Sequence, residues 1–311
     1  GSDHHRRVRF EALMHSLRQS SVALATEAAN AQHYEVPTGF FRLILGRHLK
    51  YSACLFAPGT TGLDQAEAAM LGLYAERAEL ADGQHILDLG CGWGSFSLWA
   101  AARYPGARIT AVSNSASQRQ WIEDEARRRG LDNLRLLTCD VNRLEFSAES
   151  FDRVVSVEMF EHVRNYAELL GRIRRWLTAE GRLFVHIFCH REMAYPYEDN
   201  GDDDWMARHF FTGGLMPSVD TLARFDDDLM IEQQWLVPGD HYARTARCWC
   251  ENLDTNRDAA RAALLPVYGD DVDTWLQRWR MFFMACEELF GYRGGEEWLV
   301  AHYRMKLRSV G

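Results

Sequence analysis

His85-Ile86-Leu87-Asp88-Leu89-Gly90-Cys91-Gly92-Trp93-Gly94 reads as an apolar strand running into a glycine loop, with a helix opening at Ser95 or Phe96. Glycines at alternate positions let the main chain curl beneath a ligand with no side chain in the way. The G-x-G-x-G spacing differs from the G-x-G-x-x-G whose third glycine serves a dinucleotide pyrophosphate, and so points to a cofactor without one. In an open α/β sheet such a site lies outside the carboxyl ends of the strands, near the switch point of the strand order.

Outward from this loop, short apolar strands alternate with amphipathic helices, the signature of a parallel sheet covered on both faces. Strands are expected at residues 85–89, 108–112, 134–138, 153–157 and 183–188, and helices at 96–103, 117–129 and 166–177. The last helix carries Tyr166, Leu169, Leu170, Ile173, Trp176 and Leu177 on one face, behind an Asn165/Glu168 capping box. Residues 1–80 read as an N-terminal helical cap, with helices at 10–30, 39–48 and 64–79, and residues 81–311 as the ligand-binding core. That core contains an insertion at 189–228, rich in aromatics and acids, of the kind that forms a lid or substrate wall. Residues 231–307 read as a strand, two helices and a final strand.

Composition narrows the partners. The chain is 47% apolar and 25% charged, an ordinary globular balance that can fill one generous core. A net charge of -9 disfavours nucleic acid and anionic membrane, both of which call for a basic stripe, and suits a neutral or cationic small molecule. No apolar run approaches the roughly 20 residues of a membrane helix, and the polar, basic start is not signal-like. Neither stable membrane association nor secretion is therefore expected. Seven scattered cysteines without a C-x-x-C pair fit reduced thiols in the cytoplasm, and no metal site is expected. Oligomeric state is not legible.

The strand ends supply candidate ligand contacts. Many nucleoside sites place an acid on the ribose hydroxyls after the second strand; here Asn114 stands there, with Gln118 one turn on. After the third strand Asp140 could take an adenine amino group beside the apolar Val141. Trp93 in the loop and Val157 at the end of the fourth strand complete the cofactor set. The competing readings are that Asn114 caps the next helix and Asp140 merely begins a turn.

Several further stretches carry a resemblance. Tyr51-Ser52-Ala53-Cys54, the loop Asp88 to Gly94, Ala111-Val112-Ser113-Asn114-Ser115 and Met159-Phe160-Glu161-His162-Val163 occur in order. Asp203-Asp204-Trp205, Phe290-Gly291-Tyr292 and Gly295-Glu296-Glu297-Trp298 follow them. From about residue 33 to 306 the chain resembles the cyclopropane fatty-acid synthase superfamily of methyltransferases, and within it the coclaurine N-methyltransferase-like branch. The resemblance implies a Rossmann-like class I methyltransferase fold, with a mostly parallel seven-stranded sheet, helices on both faces and S-adenosyl-L-methionine as cofactor. It places Tyr51 and Ser52 over the methionine end of the cofactor and the loop at Gly90 and Gly92 beneath it. Cyclopropane synthases hold a bicarbonate base with a cysteine, a glutamate, a histidine and a tyrosine, which fall on Ala53, Glu161, His186 and Phe282. Only the glutamate and the histidine remain, which argues against cyclopropanation.

Methyl transfer from a sulfonium is an in-line displacement, so the protein must chiefly hold nucleophile and methyl group collinear and exclude water. An amine acceptor is mostly protonated near neutral pH and needs a base or a desolvated pocket. Glu161 and His186 are the expected catalytic pair, with His162 near the cofactor or structural and His190 and Glu198 in reserve. Tyr197, Phe210, Trp249, Phe282 and Tyr292 could wall the substrate pocket and embrace a cation, and Asp199, Asp202, Asp203 and Asp204 could draw one to the mouth. The bland alternatives are core packing and a solvated loop. The expected activity is methylation of a small molecule, an amine nitrogen first. Transfer of methyl or methylene to lipid acyl chains, or methylation of a thiol, phenol or imidazole, are the alternatives.

Overall fold

Ile86 and Leu87 are adjacent in the first strand and both are fully buried, which requires cover on both faces of the sheet. The computed structural model describes residues 2–24, 31–32, 36–198, 201 and 204–308. Helices α1 (Ser2–Gln19), α2 (Thr38–Ile44) and α3 (Leu63–Arg77) precede β1 (His85–Leu89). Then come α4 (Ser95–Arg103), β2 (Arg108–Ser113), α5 (Ala116–Arg129), β3 (Leu134–Thr138), β4 (Phe151–Val157), α6 (Tyr166–Trp176) and β5 (Leu177–His190). A short ribbon of β6 (Tyr195–Pro196), α7 (Trp205–His209) and β7 (Leu215–Met216) leads into β8 (Leu229–Val237). Helices α8 (Asp240–Thr255), α9 (Arg257–Tyr268) and α10 (Val272–Gly291) and strand β9 (Trp298–Leu307) follow.

The seven-stranded sheet has the order β3-β2-β1-β4-β5-β9-β8. Strands β1 to β5 are mutually parallel, and β9 runs antiparallel to both β5 and β8. The winding reverses between β1 and β4, where a doubly wound sheet opens a crevice at its carboxyl edge. One face buries Ile86, Val155 and Phe184 against Phe40, Phe41, Tyr74, Trp249 and Trp279 of the helices α2, α3, α8 and α10. The other buries Leu87, Val154 and Val185 against Met14 and Leu17 of α1 and the apolar stripe of α6. That stripe is the one expected except for Leu177, which opens β5. The Asn165 carboxamide oxygen accepts the Glu168 N–H at 3.0 Å, as a cap should, but the expected box is not closed, since Glu168 Oε1 accepts from Arg172 and the Asn165 N–H goes to the Val22 carbonyl.

Three features differ from the sequence expectation. Three helices, not two, lie between β8 and β9, because the chain breaks at Asn256 and again at Gly269, whose φ of +52° no helix continues. The Asn256 side chain ties the first break to the Leu43 carbonyl. Strand β5 is longer than expected because β9 pairs with it from Arg182 to His190. The first helix stops at Gln19, while residues 25–30 and 33–35 and the acids Asp199, Asp202 and Asp203 lie outside the described residues. Among the described residues no helix is long and apolar enough to cross a membrane.

Candidate active site

The crevice between β1 and β4 is walled by the glycine loop, the ends of β2 and β4, the segment 49–52 and the helices α8 and α10. Gly90 has φ +89°, and a Cβ there would meet Met159 Cγ at 2.7 Å, so a side chain is excluded by crowding as well as by backbone conformation. Gly92 has φ +52° with no atom within 4 Å of where its Cβ would sit. The bare main chain there faces open space, a cradle that any side chain would fill. Asp88 anchors the loop from below by accepting the Ser97 hydroxyl at 2.5 Å. Burial raises the Asp88 carboxyl to about 7.

At the end of β2 Ser115, rather than Asn114, caps α5, its hydroxyl oxygen accepting the Gln118 N–H at 3.3 Å. Asn114 is thereby left on the cavity wall with Gln118. The Gln118 Oε1 accepts the Ser113 hydroxyl, while its buried Nε2 meets no acceptor among the described residues. An orphaned donor beside an open glycine cradle is what a nucleoside ligand would satisfy. Tyr51, Ser52, Trp93, Val141 and Val157 line the same cavity. Asp140 stands between two lining residues, Cys139 and Val141, and caps the turn Val141–Arg143 by accepting the Asn142 N–H at 2.7 Å through Oδ1.

Tyr51 and Ser52 are held over the crevice by two buried side chains, Glu67 and Lys50. The Glu67 carboxylate of α3 collects the backbone N–H groups of Gly46, His48 and Lys50. Lys50, fully buried, then donates to the Ser52 hydroxyl at 2.6 Å and the Ala53 carbonyl at 2.7 Å, and sits 5.0 Å over the Tyr74 ring.

The residue at the centre of the acceptor side is Glu158. It follows β4 directly and takes φ +47°, an uncommon backbone for a side chain of its size, which turns the carboxylate into the cavity. Oε1 accepts the Ala53 N–H at 3.1 Å and faces His186 Nε2 at 3.0 Å, and Oε2 accepts the Tyr242 hydroxyl at 2.9 Å. Burial lifts its carboxyl to about 7, against the pull of Lys50 and of its N–H and O–H donors. Around it stand Tyr51, Phe188, Phe211, Tyr242, Trp249 and Phe282, with Cys286 between them and His162 stacked 5.0 Å from Phe211.

Neither of the two residues expected as the catalytic pair reaches the cavity wall. His186 is on the face of Phe184 and Phe188, as strand alternation requires, but that face is covered by Tyr74 and His302, and the imidazole meets the cavity only through Glu158. Glu161 is fully buried one turn beyond Glu158. Its Oε1 accepts the Phe188 N–H at 2.8 Å, and burial together with the Glu158 charge holds its carboxyl far above the usual range. Of the five expected wall aromatics, Trp249 and Phe282 line the cavity. Phe210 is stacked behind Phe282 at 4.3 Å, Tyr197 is packed against Phe211 at 4.9 Å, and Tyr292 is on the surface against Trp298. Among the reserve residues, His190 is buried beside Glu297 and takes the Glu192 and Met193 N–H groups, away from the cavity. Glu198 is off the wall as well. Among the described residues no cluster of three His, Cys, Asp or Glu side chains could hold a metal.

The mycolic acid cyclopropane synthetase family model matches residues 23–296. (S)-Coclaurine N-methyltransferase of Thalictrum flavum subsp. glaucum is 40% identical over 299 residues, covering 94% of this chain and 82% of the relative. The crystal structure of coclaurine N-methyltransferase bound to N-methylheliamine and SAH superposes with a TM-score of 0.93 at 39% identity, covering 97% of this chain and 88% of that one. The cyclopropane-fatty-acyl-phospholipid synthase of Escherichia coli K12 is more distant, 28% identical over 279 residues, with 88% of this chain and 67% of the relative covered.

Proposed function

Because the chain belongs to the mycolic acid cyclopropane synthetase family and is an S-adenosylmethionine-dependent methyltransferase acting on a small-molecule amine, we propose that Glu158 is the base that frees the acceptor nitrogen. The observation that carries this reading is a buried carboxylate, with a carboxyl near neutrality, facing an aromatic cavity that is continuous with the glycine cradle.

Gly90, Gly92, Trp93, Asn114, Gln118, Val141 and Val157 would hold the nucleoside half of S-adenosylmethionine, and Tyr51 and Ser52 its methionine half. When bound, it supplies an electrophilic methyl group on a sulfonium, which leaves as a neutral thioether. The rings of Tyr51, Trp249, Phe282 and Phe211 favour an apolar amine and tolerate its cationic form. Glu158 takes the ammonium proton, releasing the lone pair that forms the new C–N bond, while Tyr242 and Ala53 keep the carboxylate oxygens aimed. His162, on the same wall, is placed to orient the nitrogen. Glu161, its carboxyl raised by burial and by the Glu158 charge, is sealed behind the wall. The segment 189–228 contributes Phe211 to the wall, and we assign it the role of substrate lid. A cytoplasmic location agrees with the seven free cysteines.

The test is a methylation assay with (S)-coclaurine, heliamine and an unsaturated phospholipid, read by mass spectrometry. N-methylated amine should form, and Glu158→Gln should lower kcat/KM by about 10²–10³ while sparing SAH binding. The wild-type rate should rise with pH through about 7, because the raised carboxyl is protonated, and useless as a base, below it. A Glu158→Gln enzyme of full activity would defeat the assignment.

A further inference from the structure

One row of side chains crosses the sheet and ends at the cavity. Trp235 of β8 pairs with His302 of β9, His302 pairs with His186 of β5, and His186 pairs with Val157 of β4, next to Glu158. From the last turn of α3, Arg77 lies 4.9 Å over the Trp235 ring and places NH1 2.7 Å from His302 Nδ1. His302 Nε2 is 2.9 Å from His186 Nδ1, and His186 Nε2 is 3.0 Å from Glu158 Oε1. Both imidazoles are fully buried.

The chemistry of the ends fixes the protons in between. A guanidinium is only a donor, so His302 Nδ1 must accept. A neutral His302 then carries its proton on Nε2 and donates to His186 Nδ1, and a neutral His186 donates from Nε2 to Glu158. A second proton on either ring would set N–H against N–H along the row. Burial, with the nearby Lys50 and Arg77 charges, holds both rings well below the usual histidine range. The Tyr74 hydroxyl, 2.8 Å from the same His186 Nδ1, is a further donor to the nitrogen that must accept. All three bonds therefore point toward the carboxylate.

We propose that Arg77, His302 and His186 form a one-way hydrogen-bond chain that keeps Glu158 in its proton-accepting form, with Arg77 as the positioning residue that sets both imidazole tautomers. This rests on reading Glu158 as the base. The other titratable groups around Glu158 are Lys50, Tyr51 and Cys54 of the loop before α3, Tyr74 of α3, Glu161 and His162 after β4, Tyr242 of α8 and Cys286 of α10. Burial raises Cys54, Cys286, Tyr74 and Tyr242 so that they stay uncharged near neutrality, raises Glu161 and lowers Lys50, and all of these groups are common to every variant. Without Arg77 the rings are free to take the opposite tautomers, His186 then presents a lone pair to Glu158, and the protonated acid is favoured.

The experiment is the pH profile of kcat/KM for heliamine methylation by wild type, Arg77→Met, Arg77→Lys and Glu158→Gln, together with ¹⁵N NMR of the histidine rings. Arg77→Met should move the acid limb upward by about one pH unit, an approximately tenfold loss at pH 6.5 that disappears by pH 9, and Arg77→Lys should move it back. An acid limb that stays in place in Arg77→Met, even at a uniformly lower rate, overturns the chain. In the wild type His302 and His186 should both be neutral with the proton on Nε2, and a proton on Nδ1 of either ring overturns it independently of activity. Should Glu158→Gln keep the wild-type limb, the base assignment fails, and the tautomers still decide whether the chain exists.

Discussion

A valine at Gly92 would meet two obstacles: a backbone at φ +52° that β-branched residues avoid, and a cradle whose emptiness is its use. Gly92→Val should weaken SAH by about a hundredfold or more, ~2.7 kcal/mol, in calorimetric titration. Undiminished affinity would put the cofactor elsewhere. The importance of this glycine is legible in the sequence because a loop of alternate glycines between strand and helix has a local cause. Glu158 is not legible in that way. It and Glu161 flank the same Met-Phe pair, and only the φ of +47° and the arrival of Ala53, Tyr242 and His186 from distant segments distinguish the carboxylate in the cavity from the one sealed behind it. The sole hint in the sequence is its place directly after a strand next to β1 in a doubly wound sheet. Aromatic residues carry even less signal: Phe282 and Phe210 are stacked neighbours, one on the wall and one in the core.

At the scale of elements, α3 organises a loop that has no regular structure of its own. Glu67→Ala would strand the N–H groups of Gly46, His48 and Lys50 and remove the charge opposite Lys50. The expected cost is about 2–4 kcal/mol in urea unfolding, with weaker SAH binding as Tyr51 and Ser52 lose their seat. An unchanged midpoint would mean the loop is held by its aromatic packing instead. The strands of the parallel half and the helix α6 follow from periodicity alone, since their faces are set by a sheet covered on both sides. The extra length of β5 and the third C-terminal helix do not, because the first depends on β9, over a hundred residues away, and the second on breaks at Asn256 and Gly269.

For the molecule as a whole, three buried carboxyls, Glu67, Asp88 and Glu158, titrate near 7 in the folded state. Each has its ordinary value near 4 when unfolded, so between about pH 4 and 7 these three carboxyls bind more protons in the folded chain and their contribution to stability falls as pH rises. The buried His186 and His302, held below the usual histidine range, contribute in the opposite sense. Asp88→Asn, which keeps an acceptor for Ser97, should raise the unfolding free energy at pH 8 by on the order of 2 kcal/mol and leave it unchanged near pH 4. Melting curves at both pH values check this, and equal shifts at the two would show that Asp88 is not a titrating burden. The order of the sheet has a further consequence. Among the described residues β8 has β9 as its only neighbour in the sheet, and β9 also supplies His302 to the row behind Glu158, yet it is made some sixty residues later. During synthesis on the ribosome β8 must wait with an open edge while three helices are translated, and Glu158 acquires its full set of neighbours only when β9 emerges, so the crevice is completed after the parallel half of the sheet and the waiting edge is where nascent chains are most exposed to aggregation.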